Sequence, residues 1–146
     1  MNRQPAVFVD SVYLIATYDL LDQWSEAAER LTDLFTSRPL VTTDGVFGEF
    51  LAHCSRFRPS RRRGAVQYVQ ELRSSQRIEV VELTSDLVNE GLAAYAGEFL
   101  YSRLSLHDCV SILVMRKRGI TDALTADREF SLAGINVLMQ APTARS

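Results

Sequence analysis

Short apolar runs alternate with longer stretches of helical period along this chain, and that alternation leaves few folds open. Ala6 to Val9, Leu40 to Thr42, Ile78 to Leu83, Ala123 to Ala126 and Ile135 to Met139 are too brief for helices and are predicted as strands. The first is apolar at successive positions, as a strand buried on both faces must be. Between the runs lie predicted helices: Ser11 to Leu21, Trp24 to Phe35, Asp44 to Cys54, Arg61 to Ser74, one capped by Thr84 or Ser85 and running to about Leu100, and Leu106 to Arg118. Trp24, Ala27, Ala28, Leu31, Leu34 and Phe35 recur at the spacing of a single buried helical face. Ser60 and Ser105 read as N-caps, and the basic end of the last long helix, followed by Gly119, reads as its stop. Parallel strands need crossover connections, and those are right-handed, so the expected fold is a three-layer α/β/α sandwich with a central parallel sheet of about five strands. The length, 146 residues, suits one core. A single domain is expected over residues 1–140, with 141–146 a frayed tail.

Charge excludes several functions. Lys+Arg 16 against Asp+Glu 18 gives a net −2, so no global basic field draws the chain to nucleic acid or membrane, and any anion site must be local. No apolar run approaches the roughly 20 residues that span a bilayer, and no leader pattern opens the sequence, so a cytoplasmic, membrane-free protein is expected. Cys54 and Cys109, far apart and within apolar helical patterns, are expected to be buried free thiols. The phosphate-loop, dinucleotide-binding and serine-hydrolase glycine motifs are absent.

Carboxylates collect at the strand-to-helix junctions, where sheets of this class bind ligands. Asp10 follows the first strand, Asp44 and Glu49 the second, Asp127 the strand containing Leu124, and Asp108 lies in the first turn after Ser105. Each has a local explanation: Asp10 and Asp127 as caps, Asp108 as the partner of Ser105 in a capping box, Asp44 as a first-turn acid and Glu49 as a solvated surface position. Gathered at one edge, however, they repel by about 1 to 4 kcal/mol per pair at 4 Å. A hard divalent cation such as Mg²⁺ or Mn²⁺ reverses that sign, and the chemistry it implies is phosphodiester hydrolysis.

The motifs around these acids resemble those of the PIN-domain nucleases, and among them the VapC-type ribonuclease toxins. The resemblance runs through Val7-Phe8-Val9-Asp10-Ser11, then Thr42 to Glu49, then Ser105-Leu106-His107-Asp108-Cys109, and closes on Leu124 to Phe130, which matches a T-x-D-x-x-F pattern. It implies that Asp10, Glu49, Asp108 and Asp127 bind Mg²⁺ or Mn²⁺ and catalyse cleavage of RNA, with Ser11 and Thr125 as supporting hydrogen-bonders and Asp44 a weaker neighbour. It also implies a small antitoxin protein as partner and a homodimer.

Arg56, Arg58, Arg61, Arg62 and Arg63 form the densest charge cluster, three of them where a helix dipole disfavours cations. They are expected either to track an RNA backbone, with Phe57 and Tyr68 stacking on bases, or to form a solvated loop. Glu49 and His53 share a helix face, but no H-E-x-x-H pattern accompanies them, which argues against zinc. His107 reads as a helix-surface or capping residue, or as a general base. Two further classes stay open: a catalytically silent scaffold that binds RNA or protein, and an aspartate-phosphorylated receiver. The latter needs paired early acids and a lysine at a late strand end, whereas Lys117 falls in a helix.

Overall fold

The structure, a computed structural model, describes residues 4–34, 36 and 38–140; Phe35 and the segment 141–146 lie outside the described residues. Among the described residues five strands form one sheet: β1 (Val7–Val9), β2 (Leu40–Thr43), β3 (Ile78–Val81), β4 (Asp122–Leu124) and β5 (Asn136–Val137). All pairings are parallel, in the order β3-β2-β1-β4-β5. Among the described residues six α-helices connect them: α1 (Ser11–Tyr18), α2 (Ser25–Leu34), α3 (Asp44–Cys54), α4 (Pro59–Ser74), α5 (Ser85–Ala96) and α6 (Leu106–Lys117), with a 3₁₀ helix over Arg128–Ala133. α1 packs on α2 and α3, and α3 on α4, while α5 packs on α6. Right-handed crossovers put those two sets on opposite faces of the sheet, giving the expected three layers. Phe8, Leu14, Phe50, Ile112, Met115 and Phe130 are fully buried between the layers.

The chain winds outward from β1 to β3 and then crosses back to β4 beside β1. The strand order therefore reverses at β1, and the carboxyl ends of β1 and β4 flank the crevice where open parallel sheets take ligands. Receiver domains have the order 2-1-3-4-5 and so cross back to the far side of β1 after two strands, whereas this chain crosses back after three. With Lys117 closing α6 and paired to Glu90 at 2.6 Å, that alternative is removed.

Local chemistry sets most boundaries. Thr43, Thr84 and Ser105 accept from the backbone N–H groups of Val46, Leu87 and Asp108, and the Ser105–Asp108 capping box is complete. Gly119, at φ 66°, ends α6 in the left-handed region. β3, β4 and β5 end two residues or more before the runs read in the sequence, and three helix boundaries depart by two residues or more. α1 stops at Tyr18 rather than Leu21, because the Asp19 and Asp22 carboxylates accept from the Leu21 and Trp24 amides and draw the backbone into side-chain-closed turns. α4 begins at Pro59 with no side-chain cap; proline's missing N–H suits a first helical position, so Ser60 lies inside the helix. α5 ends at Ala96, where Gly97 takes over the closing turn, and not near Leu100.

Cys54 and Cys109 are buried and unlinked, and burial raises both thiol pKa values. Among the described residues no helix is long and apolar enough to cross a membrane.

Candidate functional site

Val7, Phe8 and Val9 are fully apolar and fully covered, so the first polar side chain after them emerges at the rim of the sheet. That residue is Asp10, only 5% exposed. Its N–H donates to Leu124 O at 3.3 Å, continuing the β1–β4 ladder in which Val9 pairs with Leu124. The same register brings buried Thr125 alongside, and the Thr125 hydroxyl donates to Asp10 Oδ2 at 2.7 Å. Asp10 Oδ1 accepts from the Ser11 amide at 2.9 Å, capping α1. Burial pushes the Asp10 carboxyl up to about 6, with the charges of Asp108 and Glu49 adding to the rise and the two hydrogen bonds opposing it.

Glu49 projects from α3 and accepts the Ser11 hydroxyl proton at 3.1 Å through Oε1. The same oxygen lies 3.2 Å from His107 Nε2, on the first turn of α6. The imidazole is 17% exposed, and Nε2 itself is shut off from solvent without an aligned hydrogen-bond partner, so the approach to Glu49 is a close contact and not a formed bond. Room for the ring comes from Gly45 at the start of α3, where a Cβ would stand 2.8 Å from His107 Nδ1. One ligand atom each from Asp10, Glu49 and His107 fall within 4.8 Å of one another. Opposite ligands of an ion with bonds of about 2.1 Å are separated by about 4 Å, so this set fits a divalent cation with little adjustment. The fit also has an electrostatic side, because a cation would offset the burial and the smaller repulsion from Asp108 and Glu49 that together hold the Asp10 proton.

Asp108 and Asp127 stand beside this trio and outside it. Asp108 is half-buried; its Oδ2 accepts from the Ser105 amide at 3.0 Å, and its charge reaches Asp10. Asp127 caps the 3₁₀ helix through the Glu129 amide at 2.9 Å, and its own N–H donates to Thr125 Oγ1 at 3.2 Å, linking it to Asp10 through one hydroxyl. Asp44 is turned to a different partner, an ion pair with Arg73 on α4. The approach of His107 to Glu49 was the least legible in the sequence, which read this histidine as a helix-surface or capping residue or as a general base.

The arginines divide. Arg61 lies 4.1 Å above the centre of the Phe57 ring and 3.9 Å from Asp19 Oδ1, so it helps hold α4 in place. Phe57 and Tyr68 belong to an aromatic cluster with Tyr18 and Phe50, and Tyr68 shares a 2.6 Å hydrogen bond with Thr17; these rings pack internally and do not offer faces to bases. Arg62 and Arg63 instead line an open groove of about 420 Å³ between α3 and α4, with Gly48, Leu51 and Val66. Arg56 and Arg58 are exposed.

Residues 7–136 match the family model of the PIN domain. Among 11 matching chains of solved structure is the crystal structure of Mycobacterium tuberculosis VapC20, described as a sarcin-ricin loop cleaving toxin. It superposes with a TM-score of 0.76 at 27% sequence identity, covering 92% of this chain and 99% of that one. Comparison with curated proteins gives no match.

Proposed function

This chain belongs to the PIN-domain family, and on that premise we propose that it is a divalent-metal-dependent endoribonuclease acting as the toxin of a toxin–antitoxin pair. The observation that carries the reading is Asp10: an ionisable side chain buried at the strand-order reversal, crowded by Glu49 and Asp108. Capping α1 needs only one polar oxygen, so a desolvated ionisable carboxyl at this position points to a functional role. Asp10, Glu49, Asp108 and Asp127 would hold Mg²⁺ or Mn²⁺. Such an ion, when bound, polarises a phosphoryl oxygen and acidifies a bound water.

The chain's own residues do the rest. Thr125 and the Ser11 amide fix both oxygens of Asp10, so its carboxylate is oriented before substrate arrives. The Ser11 hydroxyl does the same for Glu49, whose side chain is 42% exposed and would meet and orient an attacking water. Arg62 and Arg63 would bind the phosphates of an RNA strand lying along the α3–α4 groove, with Arg56 and Arg58 extending the basic track. Asp44, committed to Arg73, serves the placement of α4 against α3. The partners consistent with this reading are RNA, a small antitoxin and a second copy of the chain.

End-labelled structured RNA incubated with the purified protein in Mg²⁺, Mn²⁺ or EDTA tests the proposal. Cleavage should require the metal and disappear in Asp10→Asn and Glu49→Gln. Cleavage that survives EDTA, or none with either ion, overturns it. Expression should arrest growth, and co-expression of a small DNA-binding protein encoded beside it should relieve the arrest.

A further inference from the structure

We propose that His107 Nε2 is a ligand of the same ion as Asp10 and Glu49, making a mixed nitrogen–oxygen site that selects a first-row transition ion over Mg²⁺; this rests on the reading above that those carboxylates hold a cation. Three independent features support it. The imidazole nitrogen converges with a carboxylate oxygen from each of β1's end and α3, all within 4.8 Å. That nitrogen is sealed from water and has no aligned hydrogen-bond partner, a state that native structures rarely leave uncompensated. Glu49 Oε1, its nearest acceptor, already receives the Ser11 hydroxyl. Finally, Gly45 leaves space against the ring, where a Cβ would stand 2.8 Å from Nδ1.

The consequence is ion selectivity. Mg²⁺ is hard, prefers oxygen and keeps its waters, whereas imidazole is a borderline donor that transition ions accept. Neutral Nε2 carries a free lone pair when Nδ1 holds the proton, so ligation requires no group to be lost other than the water it displaces.

The chain has two histidines, His107 and His53, and His53 packs edge-on against Phe57 on another part of α3. Mn²⁺ bound to the wild-type protein should therefore show ¹⁴N coupling in pulsed electron paramagnetic resonance that persists in His53→Ala and vanishes in His107→Ala. In calorimetry, His107→Ala should weaken Mn²⁺ binding about tenfold or more while Mg²⁺ binding barely changes. Gly45→Ala, a substitution favourable to a helix start, should lose the same Mn²⁺ preference by displacing the ring, and so covers the case in which His107→Ala fails to fold. If Mn²⁺ binds with no ¹⁴N coupling, or its preference over Mg²⁺ survives in both variants while Asp10→Asn abolishes uptake, the histidine assignment is wrong and the nuclease reading stands. If the wild-type protein takes up neither ion, both fall.

Discussion

Replacing Asp10 by asparagine should make the metal-free protein more stable at neutral pH, although it removes a carboxylate from the site. The Asp10 carboxyl rises from an ordinary 3.8 to about 6, chiefly through burial. The unfolded chain releases this proton near 3.8 and the folded one holds it to about 6, so between those values the unfolded state binds fewer protons and stability falls as pH rises. Above about 6 the loss is complete, and a rise of this size corresponds to about 3 kcal/mol. Asparagine cannot ionise and recovers that amount, but its single acceptor oxygen replaces two that now take the Ser11 amide and the Thr125 hydroxyl, which returns about 1 kcal/mol. The net gain at pH 7 is about 2 kcal/mol, or ~4–8 °C in Tm for a chain of this length. Near pH 4 all of it should vanish, because the ionisation contribution there is smaller than the lost hydrogen bond. Thermal unfolding of both proteins in EDTA from pH 4 to 8 reads the difference directly. Saturating Mn²⁺ should then invert the order, because only the wild type gains, by about 2.7 kcal/mol at a hundred times Kd. A Tm difference that stays flat across this pH range, or an asparagine variant that is less stable at pH 7, would refute the account of Asp10 as a crowded, desolvated charge.

Other perturbations have different signatures. Gly91→Ala would bring a Cβ within 2.6 Å of Val110 at the α5–α6 contact and should lose about 1–3 kcal/mol in urea unfolding, whereas Gly48→Ala, with open space around it in α3, should gain about 1 kcal/mol. Thr84→Ala deletes the bond to the Leu87 amide and should lower stability by about 1 kcal/mol, measured the same way. Arg62→Ala and Arg63→Ala together should weaken RNA binding and reduce the slope of log affinity against log salt by about 2, read by filter binding across a salt series. Arg61→Ala should instead leave that slope nearly unchanged and lose about 0.5–1 kcal/mol of stability, since its guanidinium is stacked on Phe57.

The amino-acid order by itself determined the layered parallel sheet, because runs such as Val7-Phe8-Val9 are apolar at consecutive positions and only burial on both faces satisfies that. It also determined the cap at Ser105 and the stop at Gly119 and narrowed the α5 cap to Thr84 or Ser85, since those interactions close within three or four residues of chain. The early end of α1 was written in Asp19 and Asp22 as well, but it lost to the helical period in a reading of apolar spacing alone. Tertiary structure decided the site. Thr125 meets Asp10 because Val9 is paired with Leu124 and not with a neighbour, and no rule acting along the chain fixes a register between segments over a hundred residues apart. The rotation of α6, held by buried Cys109, Ile112 and Met115, turns His107 to the crevice, while the packing of α3 on α4 turns Asp44 to Arg73. Side chains one residue apart on a helix point about 100° from each other, so which of them faces a given partner is settled only when the helix finds its place on the sheet.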